Sequence, residues 1–215
     1  MHDFLIFGHR GSPRRFPENT VDSFEEALRS GADGFETDLR LLADGVAVLF
    51  HDDELKGEIV ESLRSDQVHA QRVSDLARFS GRGTMVLEVK RGGWEDKLIE
   101  EIGSWSNFVV ASFDHALIAS LAKRRVKFPL GLTFEGTIHD LPSYARRIGA
   151  TWIFPSHRHT SEALVKSVGD MRVVPWTPNR PHEWQRLAGI GCAGIITDVP
   201  GEAVEWRSKG LRTEV

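Results

Sequence analysis

The chain has 215 residues, 40% hydrophobic and 27% charged, the balance of a globular protein with a sizeable core. A net charge of -4 supplies no basic field, so nucleic acid is not an expected partner, and the single cysteine, Cys192, excludes an intrachain disulfide. The first residues lack the segments of a signal peptide, and no apolar run approaches the ~20 residues of a membrane span, so the expected setting is cytoplasmic, without integral membrane association.

Phe4 to Phe7 is a continuous apolar run ended by Gly8, the pattern of a strand buried on both faces. His9-Arg10-Gly11 stands at its C-terminal end. Asn19 or Thr20 can cap a helix described by Phe24, Ala27 and Leu28 and closed near Gly31. Gly34 to Asp52 reads as a hairpin. Its first strand puts Glu36 and Asp38 on one face, Asp44-Gly45 turns the chain, and an apolar return through Val46, Val48, Leu49 and Phe50 brings His51 back towards the carboxylates. Residues 53–83 carry little pattern. Ser74 is a candidate cap for a short helix through Leu76, Ala77 and Phe79, and the segment has room for a loop excursion or a small insertion.

The pattern then becomes regular. Strands over Thr84–Lys90, Phe108–Ser112, Leu130–Phe134, Trp152–Phe154, Arg172–Trp176 and Gly194–Thr197 alternate with helices. The helices cover Trp94–Ile102, a segment capped by Asp114, Leu141–Ile148, a segment capped by Thr160 or Ser161, His182–Ala188 and Glu202–Lys209. Eight strand–helix units predict parallel pairing and an α/β fold, a (β/α)₈ TIM barrel in a single domain over residues 1–215, with an extra hairpin strand in its second unit. An open doubly wound sheet is the competitor, but no Gly-rich phosphate loop follows the first strand.

In such a barrel the chemistry lies at the C-terminal ends of the strands. His9 and Arg10, then Glu36 and Asp38 with His51, then Glu88 and Lys90 belong to three sequential elements. Carboxylates crowded on half-buried strands call for a cation between them, and an oxygen-only set suits Mg²⁺ or Ca²⁺ better than Zn²⁺. Arg10 and Lys90 restore a positive balance that favours an anion such as phosphate. Two imidazoles can serve as base and acid in one turnover. The inferred class is metal-assisted cleavage of a phosphate ester. Bland alternatives stand beside it: His9 as a hydrogen-bonded barrel residue, Glu88–Lys90 as a buried ion pair, Arg10 paired with Glu18. His157, Arg158 and His159 read as a solvated loop without a carboxylate partner. His2, His69, His115, His139 and His182 read as surface or cap residues. Cys192 reads as a packed thiol. Trp94, Trp105, Trp152, Trp184 and Trp206 read as packing residues, and Trp176 as a pocket wall.

These residues resemble the glycerophosphodiester phosphodiesterases. The matching pieces are His9-Arg10-Gly11, Pro17-Glu18-Asn19-Thr20, Gly31-Ala32-Asp33, Glu36-Thr37-Asp38, Asp44-Gly45, His51-Asp52, Leu87-Glu88-Val89-Lys90, Ser112-Phe113-Asp114, Trp176-Thr177-Pro178-Asn179 and Gly194 through Pro200. They run in order over nearly the whole chain. The resemblance implies a barrel that hydrolyses glycerophosphodiesters, small-molecule substrates, to sn-glycerol 3-phosphate and an alcohol. It implies one divalent metal ion, Mg²⁺ or Ca²⁺, held by Glu36, Asp38 and Glu88. His9 and His51 would be the acid/base pair, Arg10 and Lys90 phosphate contacts, and Trp176 a border of the glycerol site. Either the glycerol 2-hydroxyl or water would attack phosphorus. The segment after Asp52 is shorter than in many members and lacks their Arg-Thr-Thr stretch, which bears on the choice of leaving alcohol. A lysophospholipase D-like activity on lipids and a non-catalytic barrel that binds a phosphorylated ligand are the alternatives.

Overall fold

The computed structural model describes residues 4–210, and the expectation for His2 lies outside them. The chain opens with β1 (Leu5–Gly8) and α1 (Val21–Arg29), followed by β2 (Gly34–Leu41), β3 (Ala47–Leu49) and a small antiparallel ribbon of β4 (Glu54–Leu55) and β5 (Glu58–Ile59). It continues through β6 (Thr84–Val89), α2 (Glu95–Ile102), β7 (Phe108–Ser112), α3 (His115–Lys123), β8 (Leu130–Phe134) and α4 (Leu141–Arg147). β9 (Trp152–Pro155), α5 (Glu162–Ser167), β10 (Arg172–Val173), α6 (Pro181–Gly189), β11 (Gly194–Thr197) and α7 (Pro200–Ser208) complete it.

Eight strands pair in parallel in the order β10-β9-β8-β7-β6-β2-β1-β11, and β3 folds back antiparallel on β2. The ring closes through Trp176, which bridges Ser156 on one side and Ile196 on the other. The strand expected over Arg172–Trp176 is regular only to Val173. Pro175 has no amide hydrogen to donate, so the ladder lapses there, although its carbonyl still accepts from Ile196 N at 2.9 Å. The result is a TIM barrel of the expected (β/α)₈ type.

The second unit departs from the expected pattern. In place of an α-helix it has a 3-10 turn over Val73–Phe79, and Asp75, not Ser74, closes its start by accepting from Arg72 N at 3.0 Å. Leu42, Val48, Val60, Leu63 and Val68 form a small core of their own beneath this excursion. Period-two alternation on the barrel strands sends Phe7, Val86, Val109, Ala111, Trp152, Phe154, Val174 and Ile196 inward, while Ile6, Leu87 and Val110 meet the helices outside. Phe24 on α1 stacks on Phe35 at 4.2 Å, and Phe79 packs edge-on against both rings. This holds the 3-10 turn and α1 against β2. At Gly34 a Cβ would stand 1.8 Å from the Thr84 carbonyl oxygen, so only glycine lets β2 run this close to β6.

Candidate active site

The register of two neighbouring strands builds the centre of the site. β2 and β6 pair so that Asp38 lies beside Glu88, and Glu36 precedes Asp38 on the same face. Ligand atoms of Glu36, Asp38 and Glu88 lie within 4.8 Å of one another, and all three residues are buried. Burial, followed by the charge of Asp38, pushes the Glu36 carboxyl up to about 8, against the opposing pull of His9. Burial also raises Glu88, although Lys90 works against it. Asp38 goes the other way: burial favours its neutral form, but Lys90 and Arg10 together hold it below its ordinary value.

The cations fill specific places. Lys90 Nζ lies 2.7 Å from Asp38 Oδ1 and also bonds the Glu88 carboxylate. Arg10 donates through Nη1 to both Glu18 oxygens at 3.0 and 2.9 Å, places Nε 3.2 Å from Asp38 Oδ2, and donates its backbone N–H to Glu36 Oε2 at 3.0 Å. The two ion pairs weighed as bland alternatives in the sequence are therefore present, but Glu88–Lys90 lies within the carboxylate cluster and Arg10 joins the half-exposed Glu18 to Asp38 of that cluster. Gly11 makes the Arg10 turn possible: its φ is +90°, and a Cβ there would meet Ser23 Oγ at 2.4 Å.

His9 follows β1, with its amide bonded to the Thr197 carbonyl at 2.8 Å. Its Nδ1 lies 2.7 Å from Asp198 Oδ1, and its Nε2 is 4.0 Å from Glu36 Oε2. Burial lowers the imidazole pKa, but the Asp198 hydrogen bond and the Glu36 charge outweigh it, so the net shift is upward. His51 ends the return limb of the hairpin, with Nδ1 2.8 Å from Asp52 Oδ1. A carboxylate can only accept, so each ring holds a proton on Nδ1 and leaves Nε2 outside that bond.

All eight residues singled out from the sequence (His9, Arg10, Glu36, Asp38, His51, Glu88, Lys90 and Trp176) line one cavity of about 200 Å³. Val86, Ala111, Phe113, Phe154 and Ile196 supply the apolar part of its lining. Trp176 donates through Nε1 to the Phe154 carbonyl at 2.9 Å and meets Phe113 edge-on at 5.6 Å. His157 corrects its expectation: it opens a 3-10 turn and its Nδ1 has a carboxylate, Glu183 Oε1, at 3.9 Å. His115 is no bare surface group either, because its ring bonds Tyr144 Oη at 3.1 Å and the Thr133 carbonyl at 3.0 Å. Cys192 is buried, and burial pushes its thiol up to about 12. Among the five tryptophans read as packing, Trp152, Trp184 and Trp94 are buried.

Sequence reasoning missed the residues that hold these groups in place. Asn179 Nδ2 donates to Asp198 Oδ2 at 2.7 Å, and Asn179 Oδ1 accepts from Thr197 Oγ1 and Asp198 N. Asn19 is not the cap; Thr20 caps α1, accepting from Ser23 N at 3.3 Å. Asn19, buried, instead donates to Asp38 Oδ2 at 2.9 Å and accepts from Thr37 Oγ1 at 2.8 Å. Both asparagines stood inside the matched motifs, and that position was the only signal of their importance.

The donor set fits a hard divalent cation: three buried carboxylates offer only oxygen, and Glu36 is left largely uncompensated by Arg10 and Lys90. Among the described residues no helix is long and apolar enough to cross a membrane. The model of the glycerophosphoryl diester phosphodiesterase family matches residues 9–97 and 88–202. The probable glycerophosphodiester phosphodiesterase 1 of Mycobacterium tuberculosis is 44% identical, with 97% of this chain and 94% of that protein covered. The glycerophosphodiester phosphodiesterase of Bacillus altitudinis is 29% identical over 95% of this chain and 98% of its own. The crystal structure of an Oleispira antarctica phosphodiesterase in complex with sn-glycerol-3-phosphate superposes with a TM-score of 0.87 at 17% identity, covering 96% of that chain and 95% of this one. The chain belongs to the glycerophosphoryl diester phosphodiesterase family.

Proposed function

We propose that this protein hydrolyses glycerophosphodiesters to sn-glycerol 3-phosphate and an alcohol, in a single catalytic domain over residues 1–215 and in the cytoplasm. The observation that carries the reading is one small cavity in which three clustered carboxylates face two imidazoles, each bonded through Nδ1 to a carboxylate of its own. Glu36, Asp38 and Glu88 would hold one divalent ion, Mg²⁺ or Ca²⁺. When bound, such an ion neutralises the carboxylates and polarises a phosphoryl oxygen.

The chain's own groups account for the proton transfers. One imidazole takes the proton of the attacking hydroxyl at Nε2 as the new P–O bond forms. The other gives its Nε2 proton to the alcohol oxygen as the old P–O bond breaks. Attack by water gives glycerol 3-phosphate directly; attack by the glycerol 2-hydroxyl would give a cyclic phosphate, which the same pair, with roles exchanged, would open with water to glycerol 3-phosphate. Lys90 and Arg10 stand where they can meet the phosphate charge, and Trp176 with Phe113 and Phe154 offers an apolar wall to carbon atoms of the glycerol. The test is turnover of sn-glycero-3-phosphoethanolamine by parent, His9→Ala and His51→Ala proteins, with and without EDTA. Loss of glycerol 3-phosphate release in both folded variants supports the pairing; full activity in either removes that histidine from it. Activity that survives EDTA removes the metal, and no activity with any diester leaves only a binding barrel.

Phe113 gives a reason to keep a second reading, hydrolysis of lysophospholipids, because it is 48% exposed beside the cavity. A lysophosphatidylethanolamine arm in the same assay decides between them. The cavity, below the ~300–1,000 Å³ of drug-sized sites, favours the small diester.

A further inference from the structure

His9 and His51 are held very differently. The His9 ring is anchored on Asp198, which is itself fixed by Asn179. Among the described residues the His51 ring hydrogen-bonds only its neighbour Asp52, whose side chain is 72% exposed. Its placement must therefore come from its backbone. Arg40 supplies the hold. Glu36, Asp38 and Arg40 occupy alternate positions on β2, so the strand that carries two of the carboxylates also carries this guanidinium on the same face. Its side chain is only 1% exposed. Nη2 donates to the His51 carbonyl at 2.7 Å and to Asp53 Oδ1 at 2.6 Å, Nε donates to the Phe50 carbonyl at 3.2 Å, and Nη1 bonds the Glu61 carboxylate.

We propose that Arg40 is a positioning residue: its guanidinium ties the Phe50 and His51 carbonyls to β2 and so sets where the His51 imidazole stands against the Glu36–Asp38–Glu88 carboxylates. Asp53 and Glu61 brace it from the far side. Through them the β4–β5 ribbon, which lies between these two residues in the chain, becomes part of the support for His51. The inference rests on the acid/base reading of His51. A planar fork with five donors is needed to reach two carbonyls and two carboxylates at once, and lysine cannot reproduce it.

The test compares the parent with Arg40→Lys, Arg40→Met and His51→Ala, on sn-glycero-3-phosphoethanolamine with Mg²⁺, reading kcat, KM, Tm and the imidazole NMR resonances of His9 and His51. A misplacement of about 1 Å costs on the order of a hundredfold in rate, so kcat should fall by about ten- to a hundredfold in both Arg40 variants while KM stays within threefold. The His51 resonances should shift or broaden and those of His9 should not. Should Arg40→Met fail to fold, Arg40→Lys, which keeps a cation in place, carries the test. Parental kcat with unmoved His51 resonances in Arg40→Lys overturns the strut. Joint movement of both histidines with a collapse of Tm also overturns it, because that is a general structural role. Parental activity in His51→Ala removes instead the reading of His51 on which the strut depends.

Discussion

Replacing Asp198 by asparagine removes one negative charge beside His9 and almost no volume. The Nδ1–Oδ1 contact is 2.7 Å and both side chains are about one-fifth exposed, so solvent weakens the interaction only in part. A hydrogen bond to a charged group contributes roughly 1.5–3 kcal/mol, and one pKa unit corresponds to about 1.4 kcal/mol. The His9 pKa, which the Asp198 hydrogen bond and charge hold up, should therefore fall in Asp198→Asn. The sign is the same whichever role His9 has. As a base it would shift the acidic limb of the pH–rate profile to lower pH; as an acid it would shift the alkaline limb to lower pH. The new amide oxygen can accept from His9 Nδ1 only by turning its NH2 towards the Asn179 Nδ2 donor that Asp198 Oδ2 now satisfies, so kcat should drop by about ten- to a hundredfold through the lost charge and the lost Asn179 bond together. The assay is kcat and kcat/KM from about pH 5 to about pH 9, with the His9 resonances titrated in parallel by NMR. An unmoved His9 titration, or a profile superposable on the parent's, would refute the reasoning and reduce Asp198 to a loop anchor.

Asn19→Leu should strip Asp38 of a buried donor and leave Thr37 Oγ1 without its acceptor, costing about 1–3 kcal/mol in urea unfolding and weakening Mg²⁺ binding by calorimetry; unchanged binding would uncouple Asn19 from the carboxylates. In the EDTA-treated protein, Glu36 binds its proton more tightly when folded than its ordinary 4.5, with a folded value of about 8. The folded state then binds more protons across that window, so stability falls as pH rises from about 4.5 to about 8. Glu36→Gln should flatten that slope, and identical pH–stability curves for the two metal-free proteins would sink the assignment. Gly34→Ala drives a Cβ into the Thr84 carbonyl, and the strain should lower stability by about 1–3 kcal/mol, read as a Tm loss of several degrees; an unchanged Tm would mean β2 and β6 part without cost.

Much of the protein is legible along the chain because its causes are local. The alternation of apolar strands with capped helices specifies the barrel, since each unit buries its apolar face only against its neighbours. Glu36 and Asp38 fall on one face by strand period alone, and Asp44-Gly45 returns His51 to their level. What only the tertiary structure decided involves partners far apart in sequence. Asp198 meets His9 across 189 positions because β11 closes the ring beside β1. Asn19 looked like a cap and became a support of Asp38, since its backbone, at φ 56°, turns the side chain away from the helix it precedes. The second unit settled as a 3-10 turn because packing Phe79 on Phe24 and Phe35 counts for more there than local helix propensity. Nothing along the chain marks Arg40. Only the fold shows that the carbonyls it binds belong to Phe50 and His51, because which donors and acceptors meet is set by the path of the whole chain and not by any spacing within it.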